Sequence, residues 1–189
     1  QLAFLNSQVL KKCDAIDGLK DGIVEDPRNC DFDISAVKVC PKREDAADCL
    51  TKQQVEAAQK LYEGPRNSRT GERLYSGWVV FGSEKSWSPG LNINYADQFL
   101  RFMAYAENPP LSYTYRNFNF DTDVTKLEEY AAVYDPVAPH TDPEMSAFQE
   151  AGGKLLVYHV WADETVSPLT SSDFYAEVAQ KEGGMDKVK

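Results

Sequence analysis

The chain has 189 residues, of which 42% are hydrophobic, enough to bury a core as one ordinary domain or as parts of two. Its 30 acids against 20 Lys and Arg leave a net charge of −10. That disfavours a nucleic-acid or anionic-membrane partner, since both need clustered cations. No apolar run approaches the ~18 residues required to cross a bilayer, and the first residues carry neither the n-region nor the h-region of a leader.

In chain order, residues 1–12, "QLAFLNSQVLKK", set Leu2, Leu5, Val9 and Leu10 on one face and predict a helix running into Cys13. Residues 13–49 read as loop, pinned by Cys13, Cys30, Cys40 and Cys49. No Cys-x-x-Cys pair occurs, which argues against a zinc ribbon or redox motif and for two disulfides in an exported protein. Four cysteines allow three pairings; 13–30 with 40–49 is favoured because both are local.

"LTKQQVEAAQKLYEG" predicts a helix with Thr51 as N-cap, an apolar face of Val55, Ala58, Leu61 and Tyr62, and a stop at Gly64-Pro65. The Gly-, Ser- and Pro-rich run 65–90 contains a short strand-like "GWVVF" at 77–81. Residues 92–106 predict an amphipathic helix bearing Tyr95, Phe99, Phe102 and Met103, ended by "NPP". From about 143 the texture changes to a short helix, a Gly-Gly stop, a buried strand "KLLVYHV" at 154–160 ending in Trp-Ala-Asp, a polar loop, and a helix over 171–184.

The stretch "CDAIDGLKDGIVEDPRNC" interleaves Asp14, Asp17 and Asp21 with Gly18 and Gly22. Crowded carboxylates are unfavourable without a compensating cation, and a flexible set of oxygens suits calcium. Leu19 and Ile23 would contribute backbone carbonyls while their side chains point into the core. The stretch is not an EF-hand: the third position from Asp14 is Ile16, and the twelfth from Asp17 is Arg28. A solvated acidic turn is the plain alternative. The Asp-Gly spacing and flanking cysteines favour a metal.

Asp163 stands where a parallel strand should end, the edge at which doubly wound sheets place ligands and catalytic groups. In an α/β-hydrolase such a loop carries the triad acid. Locally, a turn or helix-capping aspartate is the competing reading, with Glu164 a rival for the same role. No Gly-x-Ser-x-Gly occurs in the chain. Of its two histidines, His159 lies within the expected strand and His140 in the loop "PHTDP", so no Ser-His-Asp set can be assembled.

"CDAIDGLKDGIVEDPRNC", "CLTKQQVEAAQKLYEGPRN", "GERLYSGWVVFGSE" and "SAFQEAGGKLLVYHVWAD" together resemble the tannase/feruloyl esterase family, which also includes the hydrolase of mono(2-hydroxyethyl) terephthalate. The resemblance covers nearly the whole chain. Its most specific parts are the cysteine-bounded aspartate loop and His-x-Trp-Ala-Asp. It implies the fold class α/β: a fragment of an α/β-hydrolase, mostly an irregular α+β lid plus one late strand and helix of the parallel sheet.

Residues 1–12 would lead in from the hydrolase domain, 13–140 would form the lid, and 141–189 would return to the hydrolase domain before its catalytic histidine. The resemblance further implies a structural calcium held by the side chains of Asp14, Asp17 and Asp21 and the carbonyls of Leu19 and Ile23, and Asp163 as triad acid. Family members carry their serine in Gly-Cys-Ser-x-Gly-Gly upstream of the lid and their histidine in a His-Cys pair after the last helix; neither segment occurs here. Two departures lie at the acid loop: Val160 where the family usually has Gly, and "ETVSP" where it often has Pro-Leu-Ile-Pro.

The implied activity is hydrolysis of aromatic (feruloyl or galloyl) esters, such as plant cell-wall or polyphenol derivatives, by a secreted protein, extracellular or periplasmic. This chain alone is expected to be inactive. Trp87, Phe99, Arg101 and Phe102 are candidate substrate contacts, with Trp78, Tyr95 and Tyr105 as further aromatic surface. The expected partners are the ester and the remainder of the hydrolase domain, with no nucleic acid and no membrane. A secreted, non-catalytic, calcium-stabilised binding module is the alternative. Such modules usually repeat their calcium loop, and this chain has one.

Overall fold

The computed structural model describes residues 1–41, 46–87, 89–134 and 145–188. His140 and the expected boundary at 140/141 lie outside the described residues. The chain divides into two compact units: residues 1–65, 73–88 and 160–169 form the first, and residues 66–72, 89–159 and 170–189 the second.

The first unit is built on two helices, α1 (Leu2–Cys13) and α2 (Lys52–Glu63). Leu5, Val9 and Cys13 follow one another at a spacing of four and are all buried, whereas Leu2 at the fraying end is exposed. α2 begins in a capping box: Thr51 Oγ1 accepts from Gln54 N, and the Gln54 side chain accepts from Thr51 N in return. It ends at Gly64, whose φ of 82° and the Tyr75 carbonyl 2.4 Å from any added Cβ leave room for glycine alone.

Two apolar clusters lie between these helices and the loops around them. Leu5, Ile34, Val37, Leu50 and Ala58 form one, with Phe4, Phe32, Val55, Tyr62 and Trp87 packed on it. Val9, Cys13, Val24 and Cys30 form the other, under Phe81. Disulfides join Cys13 to Cys30 and Cys40 to Cys49. In the chain-entropy picture, closing the first of these loops is worth about 3 kcal/mol. An isolated bridge, Val39 with Leu50, brackets the second.

A charged residue ties this unit together. Glu84 is fully buried. One of its carboxylate oxygens accepts from Asn6 Nδ2 of α1 at 2.8 Å, and the other from Tyr62 OH of α2 at 2.7 Å and Gly82 N at 2.9 Å. Three neutral donors satisfy it, and no cation touches it among the described residues. Such bonds to a charged group are worth about 1.5–3 kcal/mol each, and losing one leaves a buried charge short of a partner.

The second unit contains α3 (Pro89–Phe102), α4 (Asp123–Tyr134), α5 (Ser146–Glu150), most of α6 (Pro168–Lys181) and α7 (Met185–Val188). After α3 the chain is fastened by polar contacts: Asp97 Oδ1 accepts from Tyr115 N at 2.6 Å, and Arg101 Nε donates to the Tyr113 carbonyl at 2.9 Å. Leu100, Ala104 and Val124 are buried.

Both expected strands are corrected. Residues 78 and 79 form a bend, residues 154–160 carry no regular structure, and no strand occurs among the described residues. The α/β expectation is thus met here only in its helices. A strand exists through a neighbour, and among the described residues the second segment pairs with none: Leu156 and Tyr158 are 88% and 89% exposed. Its apolar composition still marks it as a segment made for burial.

Burial, and then the nearby Glu84 carboxylate, raise the Tyr62 phenol above its ordinary value. A proton held more tightly in the folded chain stabilises it fully below the unfolded pKa of about 10, and that gain is lost as pH rises toward the folded value. Tyr62→Phe is therefore expected to cost about 1.5–3 kcal/mol at neutral pH. The gap to wild type should narrow between about pH 10 and 12. Urea unfolding of both proteins across that range reads the two effects.

Candidate functional site

The acidic loop leaves the end of α1 and closes at Cys30. Asp14, the buried member, accepts from Gly22 N at 2.7 Å, so the loop folds back on its own start. Asp17 accepts from Leu19 N at 2.9 Å and Asp21 from Ile23 N at 3.1 Å, two short local turns. Gly18 and Gly22 both have positive φ.

The side chains of Leu19 and Ile23 are exposed, by 61% and 58%, which corrects the expectation that they enter the core. Tight turns on either side leave them on the outer face, and Val24 is the residue that reaches the core with Cys13 and Cys30. The donor set of this loop is all oxygen, three carboxylates and the peptide carbonyls between them, which is the chemistry of a hard cation. Among the described residues, however, no group of three His, Cys, Asp or Glu converges closely enough to hold a metal ion. Each carboxylate is turned instead toward a backbone amide.

Within this loop, before it closes, Asp26 takes Arg28 through two bonds, at 2.8 and 2.7 Å, and Arg28 lies 5.3 Å over the Trp161 ring. The Arg28 side-chain bond holds the Asp26 carboxyl below the usual carboxylate range. A cavity of about 330 Å³ is lined by residues 22–25, 80–83, Trp161 and Ala162.

Asp163 follows Trp161 in a tight loop. Its own N–H returns to the Val160 carbonyl at 3.1 Å, and its Oδ1 accepts from Thr165 N at 2.8 Å and Val166 N at 3.0 Å. Two amides thus fix the plane of the carboxylate on the side facing its own loop. Ser167 is buried and donates to the Gly77 carbonyl, and Trp78 Nε1 donates to the Glu164 carbonyl at 3.0 Å. His159 Nδ1 and Ser171 Oγ are 2.7 Å apart in the second unit.

The candidate substrate residues divide between the units. Trp87 belongs to the first: its indole N–H donates to Ser83 Oγ at 3.0 Å, and its ring meets Tyr62 edge-on. Phe99, Arg101 and Phe102 belong to the second, where both phenylalanines and Tyr95 are exposed. Arg101 is engaged through Nε with Tyr113, and Tyr105 and Tyr113 join hydroxyls at 3.0 Å.

Sequence reasoning missed Glu84 and Ser167. A single Glu or Ser in a polar run reads as surface, and nothing local shows which will be buried. Trp78 was visible only as an aromatic, not as a donor to the acid loop.

The family model described as tannase and feruloyl esterase matches residues 1–189. The chain belongs to the tannase and feruloyl esterase family. An uncharacterized esterase of Xanthomonas campestris pv. campestris is 31% identical over 96% of this chain and 34% of its own length. A probable feruloyl esterase B-1 of Aspergillus flavus is 29% identical over 93% of this chain and 32% of its own. The crystal structure of feruloyl esterase B from Aspergillus oryzae superposes with a TM-score of 0.78 at 26% identity, covering 99% of this chain and 36% of that one. The chain thus spans about one third of the length of the curated relatives it matches.

Proposed function

We propose that this chain is the lid and part of the catalytic domain of a secreted serine esterase acting on aromatic, feruloyl- or galloyl-type esters. The observation that carries the reading is the family match along the whole chain, which aligns it with relatives named as esterases. The apolar segment 154–160, largely exposed, supports a further part: it has the composition of a central strand, and among the described residues it pairs with no strand. Two disulfides suit an exported protein.

In this reading Asp163 is the triad acid. Its role is to orient a histidine and to stabilise the imidazolium formed when that histidine takes the serine proton. The two amides on Oδ1 hold the carboxylate in one plane, so the orientation it imposes is fixed before substrate arrives. Serine and histidine are contributed by segments that this sequence does not contain. Phe99 and Phe102 offer apolar surface to an aromatic ring, and Arg101 a cation for a carboxylate or phenolate oxygen.

Calcium would be held by the side chains of Asp14, Asp17 and Asp21 with the Leu19 and Ile23 carbonyls. There it would neutralise the crowded acids and brace the loop that the Cys13–Cys30 disulfide already closes. The aspartates would exchange their backbone amide partners for the ion.

Two outcomes follow. In the full-length enzyme, Asp163→Asn lowers kcat for methyl ferulate by about 10⁴-fold, while the 189-residue chain alone shows no turnover. An unchanged kcat in the variant removes Asp163 from the mechanism. Calcium at about 100 times its Kd raises the unfolding free energy by about 2.7 kcal/mol, and Asp17→Asn with Asp21→Asn abolishes the increment. Calorimetry with calcium and with chelator measures it, and identical melting in both contradicts the site.

A further inference from the structure

We propose that Trp78 and Ser167 are positioning residues that clamp the Asp163 loop onto the end of α2; this rests on the reading of Asp163 as the triad acid.

The loop from Val160 to Ser167 is tight but short of internal support. Its local bonds, Asp163 N to the Val160 carbonyl and Thr165 N and Val166 N to the Asp163 carboxylate, fix its shape and leave its position undetermined. Two long-range bonds bear directly on that position. The indole N–H of Trp78 reaches the Glu164 carbonyl at 3.0 Å, one residue past the acid. The Ser167 hydroxyl, in a residue only 5% exposed, reaches the Gly77 carbonyl. Adjacent residues, 77 and 78, thus hold the loop at two points just past Asp163, the Glu164 carbonyl and the Ser167 hydroxyl.

Residues 77 and 78 are themselves seated. Trp78 N donates to the Leu61 carbonyl at 2.9 Å. A Cβ on Gly77 would stand 1.9 Å from the Tyr62 carbonyl oxygen, so the backbone lies flat on the last turn of α2 only because the residue is glycine. Tyr62 is anchored in turn by its hydroxyl to the buried Glu84. An unbroken set of contacts runs from the core of the first unit through the Gly77-Trp78 turn to the backbone beside Asp163.

The chemistry gives this clamp a use. A triad acid works by direction: it must meet the histidine at hydrogen-bond distance in the correct plane, and a misplacement of about 1 Å can cost on the order of 100-fold in rate. Neither clamp residue need touch substrate. Loosening either one lets the loop shift while its internal turn survives, which should lower kcat and leave ground-state binding alone.

The test uses the full-length enzyme and methyl ferulate, with kcat normalised to active sites counted by burst titration. Trp78→Phe keeps the ring and removes the N–H; Ser167→Ala removes the hydroxyl; Ser167→Thr retains one. The expected result is a fall in kcat per site of about tenfold for Trp78→Phe and for Ser167→Ala, with KM within about twofold of wild type and activity restored in Ser167→Thr. Because the clamp acts through the acid, Trp78→Phe added to Asp163→Asn should lower the residual rate no further. Undiminished kcat per site in both clamp variants, or full additivity with Asp163→Asn, overturns the proposal. Full activity of Asp163→Asn by itself would instead strike the underlying assignment, so the two failures are distinguishable.

Discussion

The Glu84 carboxylate is the contact on which the first unit depends. It is fully buried and draws one neutral donor from each of three parts of the chain: Asn6 of α1, Tyr62 of α2 and the backbone at Gly82. Apolar packing alone would let these parts slide by a side-chain width, because it is nearly non-directional. Hydrogen bonds to a charge deep in the unit are directional and costly to lose. The cluster around Leu5, Leu50 and Ala58 supplies cohesion, and Glu84 supplies register.

That register passes to the candidate site. Tyr62 lies in the last turn of α2, where the Leu61 carbonyl and the surface over Tyr62 receive Gly77 and Trp78, and these receive the loop of Asp163. On the other side of the unit, α1 runs directly into the aspartate loop through Cys13 and Asp14. The two features with the most chemistry, the acidic loop and the acid at 163, therefore hang from elements tied by one carboxylate. Neither is a free surface loop, although both read that way from composition.

What was legible in the sequence follows from range. α1 and α2 could be read because their determinants are local: a stripe at spacing four, the Thr51 and Gln54 capping pair, a glycine stop. The cysteine pairing was favoured for the same local reason. α4 was missed because its start is fixed by Asp123 reaching back to the Asn119 amide in a run rich in acids and tyrosines, where no apolar stripe stands out. The directions of Leu19 and Ile23 were misjudged because an apolar residue in a calcium-like loop need not be a core residue; the turns at Asp17 and Asp21 decide which way it faces. Residues 154–160 show the limit most plainly. Their composition asks for a strand, and a strand is a relation between segments that no single segment carries.

The same segment gives the most direct test of the account, which holds that this chain is one part of a larger sheet-containing esterase. Amide hydrogen exchange at Leu155–Val160 can be compared between the isolated 189-residue chain and the full-length protein. Incorporation into a central strand predicts fast exchange in the isolated chain and protection of at least about a thousandfold in the full-length protein, as expected for amides that open only with the global fold. Equally fast exchange in both would mean that the segment never enters a sheet, and would contradict the account.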